Sequence, residues 1–288
     1  MAALGCTQVS GGELGGVRWE LARRAPAPVL APFVAELQGY FEQAAVPVVR
    51  REHAGLHVVI ILELEPKLRV YEPGASARHA VYPGGFVAGL DDRYTRTEHD
   101  GFQTGIQLNL HPLGARRLFD LPMHELRGRT VAFADLLPGQ RRLCDELAAL
   151  CSWDARFERI ERFLLERFAD TDPCDGAVTW AAQRIAADGG GTDLAELAKE
   201  LGYSHKHMIA RFHDQLGVPP KVWARLQRFD RLRRELLRRG ERRSWAELAQ
   251  ACGYYDQSHM SRDIKQFTGE SPRAMLGPRL FHEANEAL

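Results

Sequence analysis

The hydrophobic pattern of the chain changes from a strand-like texture to a helical one near residue 111. Between residues 17 and 109, short apolar runs are separated by Pro, Gly and Asp clusters, as strands are separated by turns. Over residues 105–110, apolar and polar side chains alternate with the period of a half-buried strand. The pattern predicts strands at residues 46–50, 56–64, 67–71, 79–82, 86–89 and 104–110, a short helix at 31–41, and a loose glycine-rich segment at 1–16.

Helical periodicity takes over after residue 111. The strongest example is residues 153–169, where one face carries Phe157, Ile160, Phe163, Leu164 and Phe168, and Arg and Glu line the other. The polar segment 170–176 contains Pro and Gly and is the predicted linker between two domains. Further helices are predicted at residues 112–118, 138–150, 177–187 and 219–239.

Residues 192–272 contain the same short helical motif twice. Tyr203 and Tyr254 are 51 residues apart, whereas His207 and His259 are 52 apart, so one residue has been added in the turn. Internal repetition of this kind indicates two copies of one supersecondary unit.

Each copy carries the signals that start and stop helices. Asp193 and Ser244 are candidate N-caps with Glu three positions later, and Gly202 and Gly253 are expected to end the first helix of each copy. A second helix with an apolar stripe follows, at Met208, Phe212 and Leu216 or at Met260, Ile264 and Phe267. A short helix, a Gly-centred turn and a second helix form the helix-turn-helix pattern.

The two copies resemble the AraC/XylS family of transcriptional regulators. The resemblance rests on Leu-Ala-x-x-Leu-Gly-Tyr-Ser at 197–204, Ala-x-x-Cys-Gly-Tyr at 249–254, Gln-Ser-His-Met-Ser-Arg-Asp-Ile-Lys at 257–265 and Thr-Gly-Glu-Ser-Pro at 268–272. It covers the C-terminal third of the chain, and two motifs in register make it specific.

The resemblance implies an α+β protein of two domains. The N-terminal domain, residues 1–169, would be a β-rich, cupin-like barrel with packing helices that senses a ligand and can dimerise. The linker is 170–176, the DNA-binding domain is 177–277, and residues 278–288 form a tail. In the DNA-binding domain, a long helix joins two helix-turn-helix motifs. This helix would hold the two recognition helices about 34 Å apart, which is one turn of DNA.

The expected DNA-reading residues lie opposite the apolar stripes. In the second copy these are Gln257, Ser258, Ser261 and Arg262, which suit hydrogen bonding to base edges and coincide with the base-contact positions of the family. In the first copy they are Lys206, Ile209 and Ala210, so that half is expected to read less by hydrogen bonding, or to dock only on the DNA backbone. Expected phosphate contacts are Ser204, His205, Arg211, Lys265 and Arg273.

Charge and composition fit this division. The formal net charge is zero, but residues 176–288 carry 18 Lys and Arg against 14 Asp and Glu, a net of +4. The five Cys show no metal-ligand spacing, and no catalytic or dinucleotide motif is present. We therefore expect no cofactor, metal site or catalytic residue. Without a signal peptide or a long apolar run, the expected location is the cytoplasm.

The expected function is an effector-responsive, DNA-binding regulator, most simply an activator. Its partners would be double-stranded promoter DNA, a small-molecule effector, RNA polymerase and a second copy of the chain, but not a membrane. Candidate pocket residues are Tyr40, His57, Tyr71, Phe86 and Gln107, although the same alternation fits a barrel core. Two alternatives stay open: a cupin-type metal enzyme with a DNA-binding tail, and a protein-interaction module in place of the sensor.

Overall fold

The structure, a computed structural model, describes residues 6–65, 68–72, 78–137, 141–171, 174–239 and 244–275. Its strands are β1 (Gln8–Leu14), β2 (Val17–Arg24), β3 (Val34–Ala44), β4 (Val48–Glu52), β5 (Val58–Glu65), β6 (Arg69–Tyr71), β7 (His79–Val81), β8 (Phe86–Ala88), β9 (Thr95–His99), β10 (Phe102–Leu110) and β11 (Thr130–Ala132). Its helices are α1 (Pro112–Phe119), α2 (Phe133–Leu136), α3 (Arg141–Ala149), α4 (Trp153–Ala169), α5 (Gly176–Ala187), α6 (Leu194–Glu200), α7 (His205–Leu216), α8 (Pro220–Arg239), α9 (Trp245–Ala251), α10 (Gln257–Thr268) and α11 (Pro272–Met275), with a 3-10 turn at Met123–Glu125.

The N-terminal half contains two antiparallel sheets. The larger has the strand order β1-β2-β3-β10-β5-β8-β11, and the smaller has the order β4-β9-β6-β7. Strand β10 is central because it pairs with both β3 and β5, so that Ile106 lies beside Gly39 and Leu62. The alternation predicted for residues 105–110 is confirmed, since Ile106, Leu108 and Leu110 are buried. The described pairings close neither sheet, and the cupin-like barrel therefore stays a prediction.

Two predictions for the N-terminal half are wrong. Residues 31–41 do not form a helix, because 34–44 are strand β3, paired with β2 over one edge and β10 over the other. Pairing on both edges satisfies the backbone of a segment whose local sequence favours a helix. Residues 8–14 of the glycine-rich start are not loose either, because β1 pairs with β2 from Gln8 to Leu14; residues 1–5 lie outside the described part of the chain.

The helices predicted after residue 111 are present in the described part of the chain; residues 138–140 of the predicted helix 138–150 and the predicted tail 278–288 lie outside it. Helix α4 has the predicted bounds, begins at the N-cap Ser152, and buries the apolar face described above within its own chain. Its first residue, Trp153, lies over Gly39 of β3, where an added Cβ would come within 2.3 Å of the indole ring. The indole Nε1 donates to Glu20 Oε1 at 2.6 Å. These contacts fix α4 against the larger sheet.

Two separate groups of buried apolar residues hold the C-terminal half. The first core runs from the larger sheet through α1, α3 and α4 into α5, α6 and α7, and ends at Trp223 and Ala224 of α8. The second core contains Leu226, Phe229, Leu232 and Leu236 of α8 together with the buried residues of α9 and α10. Helix α8 therefore passes from one core to the other. No helix of the described residues is long and apolar enough to cross a membrane.

Candidate nucleic-acid interface

The first helix-turn-helix unit consists of α6 and α7. Asp193 begins α6 by accepting hydrogen bonds from the backbone N–H groups of Ala195 at 2.8 Å and Glu196 at 3.2 Å. Ser204 begins α7 by accepting from the N–H of His207 at 3.2 Å. Such caps satisfy N–H groups that have no partner inside the helix. The predicted N-cap Asp193 is therefore confirmed, whereas the capping role of Ser204 was not predicted.

The second unit, α9 and α10, is built in the same way, and its first helix has a complete capping box. Ser244 accepts from the N–H of Glu247 at 3.3 Å, and the Glu247 carboxylate accepts in return from the N–H of Ser244 at 2.8 Å. This reciprocal capping box fixes the start of α9. Asp256 begins the recognition helix α10 by accepting from the N–H of His259 at 2.7 Å.

The recognition helix of the second unit presents a polar face outward. Met260, Ile264 and Phe267 are buried in the second core. On the other side Gln257, Ser258 and Arg262 are exposed and Ser261 is half-buried. The Ser261 hydroxyl donates to Gln257 O at 2.8 Å, and Arg262 Nε donates to Ser258 O at 3.3 Å. The structure thus brings all four predicted base-reading residues to one exposed helix face.

The recognition helix of the first unit presents a different surface. Lys206 and Ala210 are exposed and Ile209 is half-buried. With the 52-residue offset of the repeat, Lys206 corresponds to Ser258, Ile209 to Ser261 and Ala210 to Arg262. The first unit therefore offers a cation and two apolar side chains where the second offers hydroxyls and a guanidinium. Apolar side chains can contact thymine methyls but form no hydrogen bonds with bases.

The predicted phosphate contacts are divided by their surroundings. His205 and Arg273 are exposed, and Ser204 is exposed while its hydroxyl oxygen caps α7. Lys265 is exposed and its Nζ donates to Gly269 O at 2.9 Å. Arg211 is different, because its guanidinium binds the carboxylate of Asp175, the N-cap of α5, with Nε to Oδ2 at 2.9 Å. Arg211 thus fastens α7 to the start of the domain.

The two repeated His residues pack on the two repeated Tyr residues. The His207 ring lies edge-on to Tyr203 with centroids 4.5 Å apart, and the His259 ring lies in the same way on Tyr254 at 5.5 Å. Sequence reasoning missed the neighbour Tyr255, which is 92% exposed and directly precedes the N-cap of α10. Tyr255 is the residue added in the second copy, so the offset between the copies was the signal that could have found it.

Both recognition helices touch the N-terminal half at their C-terminal ends. Gly217 ends α7, and an added Cβ there would come within 2.8 Å of Met123 O. Gly269 ends α10, and an added Cβ there would come within 2.5 Å of the Tyr94 ring. The N-terminal ends of the two helices, which carry Lys206 and Gln257, are exposed.

A cavity of about 420 Å³ lies between the N-terminal sheets and α8. Tyr40, His57, Phe86 and Gln107 of the predicted pocket residues line it, together with Asp230 and Arg233 of α8. Tyr71 is not among the lining residues; its hydroxyl donates to Glu98 at 2.7 Å in the smaller sheet. Burial, His111 and Arg233 lower the pKa of His57 from 6.5 to about 4, so this imidazole is neutral at pH 7.

A buried polar network supports one end of this cavity. Glu42 accepts from Gln103 Nε2 at 2.7 Å, binds the Arg50 guanidinium, and lies 3.0 Å from His99 Nε2. Burial would raise the pKa of Glu42, but the hydrogen bonds from His99, Arg50 and Gln103 lower it to about 2. Glu42 is therefore ionised and holds Arg50 at the cavity wall. No group of three or more His, Cys, Asp or Glu in the described residues is placed to hold a metal ion.

Comparison with known proteins bears on the C-terminal half. Residues 197–277 match the family model described as a helix-turn-helix domain. None of the curated proteins compared with the chain matches it.

Several solved structures are similar over a larger part of the chain. ToxT from Vibrio cholerae is 12% identical, with a TM-score of 0.49 over 83% of this chain and 97% of that one. A second ToxT structure, with an unsaturated fatty acid bound, is 11% identical, with a TM-score of 0.45 over 81% and 96%. The xylose-binding transcription activator XylR is 18% identical, with a TM-score of 0.31 over 48% and 39%. The family match, together with the two capped units, identifies residues 197–277 as a helix-turn-helix domain.

Proposed function

We propose that the chain binds one promoter site with both helix-turn-helix units and that the second unit supplies most of the sequence discrimination. The observation that carries this proposal is the outward face of α10, where Gln257, Ser258 and Arg262 are exposed beside the half-buried Ser261. Arg can bond guanine through two nitrogens, and Gln suits adenine. The equivalent face of α7 offers Lys206 for a phosphate or base and apolar contacts from Ile209 and Ala210.

Selection from a random double-stranded DNA library, with the full chain, tests this proposal. The selected sites should contain two conserved blocks about one helical turn apart. The block read by the second unit should show stronger base preferences, and the other should favour A·T pairs with exposed thymine methyls. Enrichment of no sequence, or two equally defined blocks, would contradict the proposal.

The proposed effector site is the cavity between the sheets and α8. Its volume suits a small organic molecule, and its wall combines apolar side chains such as Phe86 and Ile61 with polar groups such as Tyr40 and Gln107. Two of its cations are already bound within the chain, since Arg50 binds Glu42 and Arg93 binds Asp91. These pairs favour an uncharged ligand with hydrogen-bonding groups over an organic anion.

Thermal unfolding of the full chain with a metabolite library tests the effector site. A ligand that binds the folded state stabilises it by about 2.7 kcal/mol at a hundredfold excess over its Kd. Uncharged, hydroxylated compounds should raise the Tm. The variant Gln107→Ala should lose this shift while keeping nearly the same Tm as the wild type in the absence of ligand. A shift that Gln107→Ala leaves intact would place the ligand elsewhere.

The remaining parts of the proposal follow from promoter binding. We propose that the regulator works in the cytoplasm and contacts RNA polymerase, that its role is activation, and that its activity is binding rather than catalysis. Residues 1–169, 170–176 and 177–277 are the proposed sensor, linker and DNA-binding domain. A homodimer would need a surface other than the apolar face of α4, which is buried within the chain.

A further inference from the structure

We propose that a polar latch between the N-terminal half and the second unit fixes the position of that unit and thereby sets the spacing of the two DNA blocks. We define the Asp92 latch as Asp92 with Arg225 and Gln266, together with the ion pair between Arg51 and Glu270. The spacing role rests on the proposed function, whereas the latch itself is a contact within the chain.

The latch joins the loop between β8 and β9 to the second unit. Asp92 Oδ2 accepts from Arg225 Nη1 at 3.1 Å and from Gln266 Nε2 at 2.8 Å. Arg225 also donates to Asp263 Oδ1, with Nη2 at 2.7 Å and Nε at 3.0 Å. One carboxylate of the N-terminal half therefore holds a side chain of α8 and a side chain of α10 at the same time.

Contacts beside Asp92 extend the same interface. Arg51 at the end of β4 binds Glu270 at 2.9 Å. The N–H of Ala54 donates to Phe267 O, at the C-terminal end of α10, at 2.9 Å. The Tyr94 ring lies against Gly269, as described above. The N-terminal half thus grips the last turn of the recognition helix and leaves its first turn exposed.

The first unit is held to the N-terminal half by apolar packing, because its apolar residues belong to the first core. Met208, Phe212 and Leu216 of α7 are buried in one continuous cluster with Leu118, Phe119 and Met123 of the N-terminal half. The second unit has its own core, to which Ala54 and Leu56 are the N-terminal contributions. Ion pairs at a partly exposed interface are weak and open more readily than an apolar core. The second unit is therefore the one whose position can change, and Asp92 restrains it.

Restraint of one unit has a direct consequence for DNA binding. The two recognition helices must enter the major groove at a fixed separation, since each added base pair turns the second block about the DNA axis. A latched second unit tolerates one separation. A released unit can shift together with the C-terminal part of α8, which belongs to its core, and follow a displaced block.

Hydrogen exchange at Ala54 tests whether the latch holds the interface. The variant carries Asp92→Ala and Arg51→Ala, and its Arg225 keeps Asp263 as a partner, so the second core is left intact. The matched control is Asp100→Ala, which removes an exposed carboxylate that binds Arg69 away from the interface. The Ala54 amide should exchange at least about tenfold faster in the double variant and at the wild-type rate in the control. Unchanged exchange in the double variant would overturn the latch.

Affinity for sites with altered spacing tests its role. Inserting one or two base pairs between the blocks of the selected site should weaken wild-type binding at least about tenfold and binding by the double variant less than about threefold. Equal losses in both proteins would overturn the spacing role. If the wild-type chain selects no DNA sequence, the proposed function and the spacing role fail together, while the exchange rate of Ala54 still decides whether the latch exists.

Discussion

The two helix-turn-helix units share a motif but differ in what surrounds them. Their caps, their terminal glycines and their Tyr–His ring pairs correspond through offsets of 51 and 52 residues. The first unit, however, is packed into the core of the N-terminal half, whereas the second has a core of its own and a polar contact with that half. The comparison teaches that a repeated motif fixes the local fold of a unit but not its attachment.

The exposed faces of the two recognition helices also differ, in the chemistry that they offer to DNA. The unit that is most firmly attached has Ile209 and Ala210 at reading positions, and the unit that is least firmly attached has Ser261 and Arg262. One unit is therefore suited to anchor the protein and the other to discriminate between sequences. Experiments that treat the two units separately can test this division.

Core substitutions should separate the units most strongly. Phe212→Ala and Phe267→Ala each remove a fully buried ring and should cost about 3–5 kcal/mol. Since Phe212 lies in the first core, its loss should lower the stability of the N-terminal half and the first unit together. The loss of Phe267 should destabilise the second unit while the sheets stay folded. Calorimetry combined with hydrogen exchange of β10 and α9 distinguishes the two results, and identical exchange patterns would contradict the existence of two cores.

Lowering the pH should reduce the stability of the folded chain through His57, which lines the cavity. The pKa of His57 is about 4 in the folded chain and 6.5 in the unfolded chain. Between these values the unfolded chain binds a proton that the folded chain does not, so stability falls as the pH falls through this range. By pH 5 the loss should be about 2 kcal/mol. His57→Gln should remove it, whereas His205→Gln, at an exposed position of α7, should not.

The cation of the first unit should contribute affinity without selectivity. Lys206→Ala is expected to weaken binding to all DNA sequences by a similar factor, with a loss of about 1 kcal/mol, and to reduce the salt slope by about one. Titrations at several salt concentrations, on the selected site and on unrelated DNA, measure both quantities. Asp214→Ala, which removes a half-buried charge further along α7, is the control for folding of that helix. A loss confined to the selected site would make Lys206 a base reader.

Much of this arrangement could be predicted from local sequence signals. Helix α4 and the repeated caps were correct because capping residues and apolar periodicity act within a few residues of each other. Strand β3 was missed because its pairing with β2 and β10 overrides a local helical preference. The Asp92 latch had no signal at all, since Asp92 and Arg225 are 133 residues apart in the chain. Asp230 and Arg233 of α8 are likewise distant in the chain from the strands that form the rest of the cavity wall. The sequence therefore suggested pocket residues only in the N-terminal half.

The most direct test of sequence reading by the second unit is the affinity of Arg262→Ala for the selected DNA site. Arg142→Ala, at an exposed position of the N-terminal half, is the matched control. We expect Arg262→Ala to lose about 1–3 kcal/mol on the selected site and much less on unrelated DNA, and to accept other bases at one position of the second block. The control should bind as the wild type does. If Arg262→Ala keeps both the affinity and the base preferences of the wild type, the second unit does not read sequence in the way that its exposed face indicates.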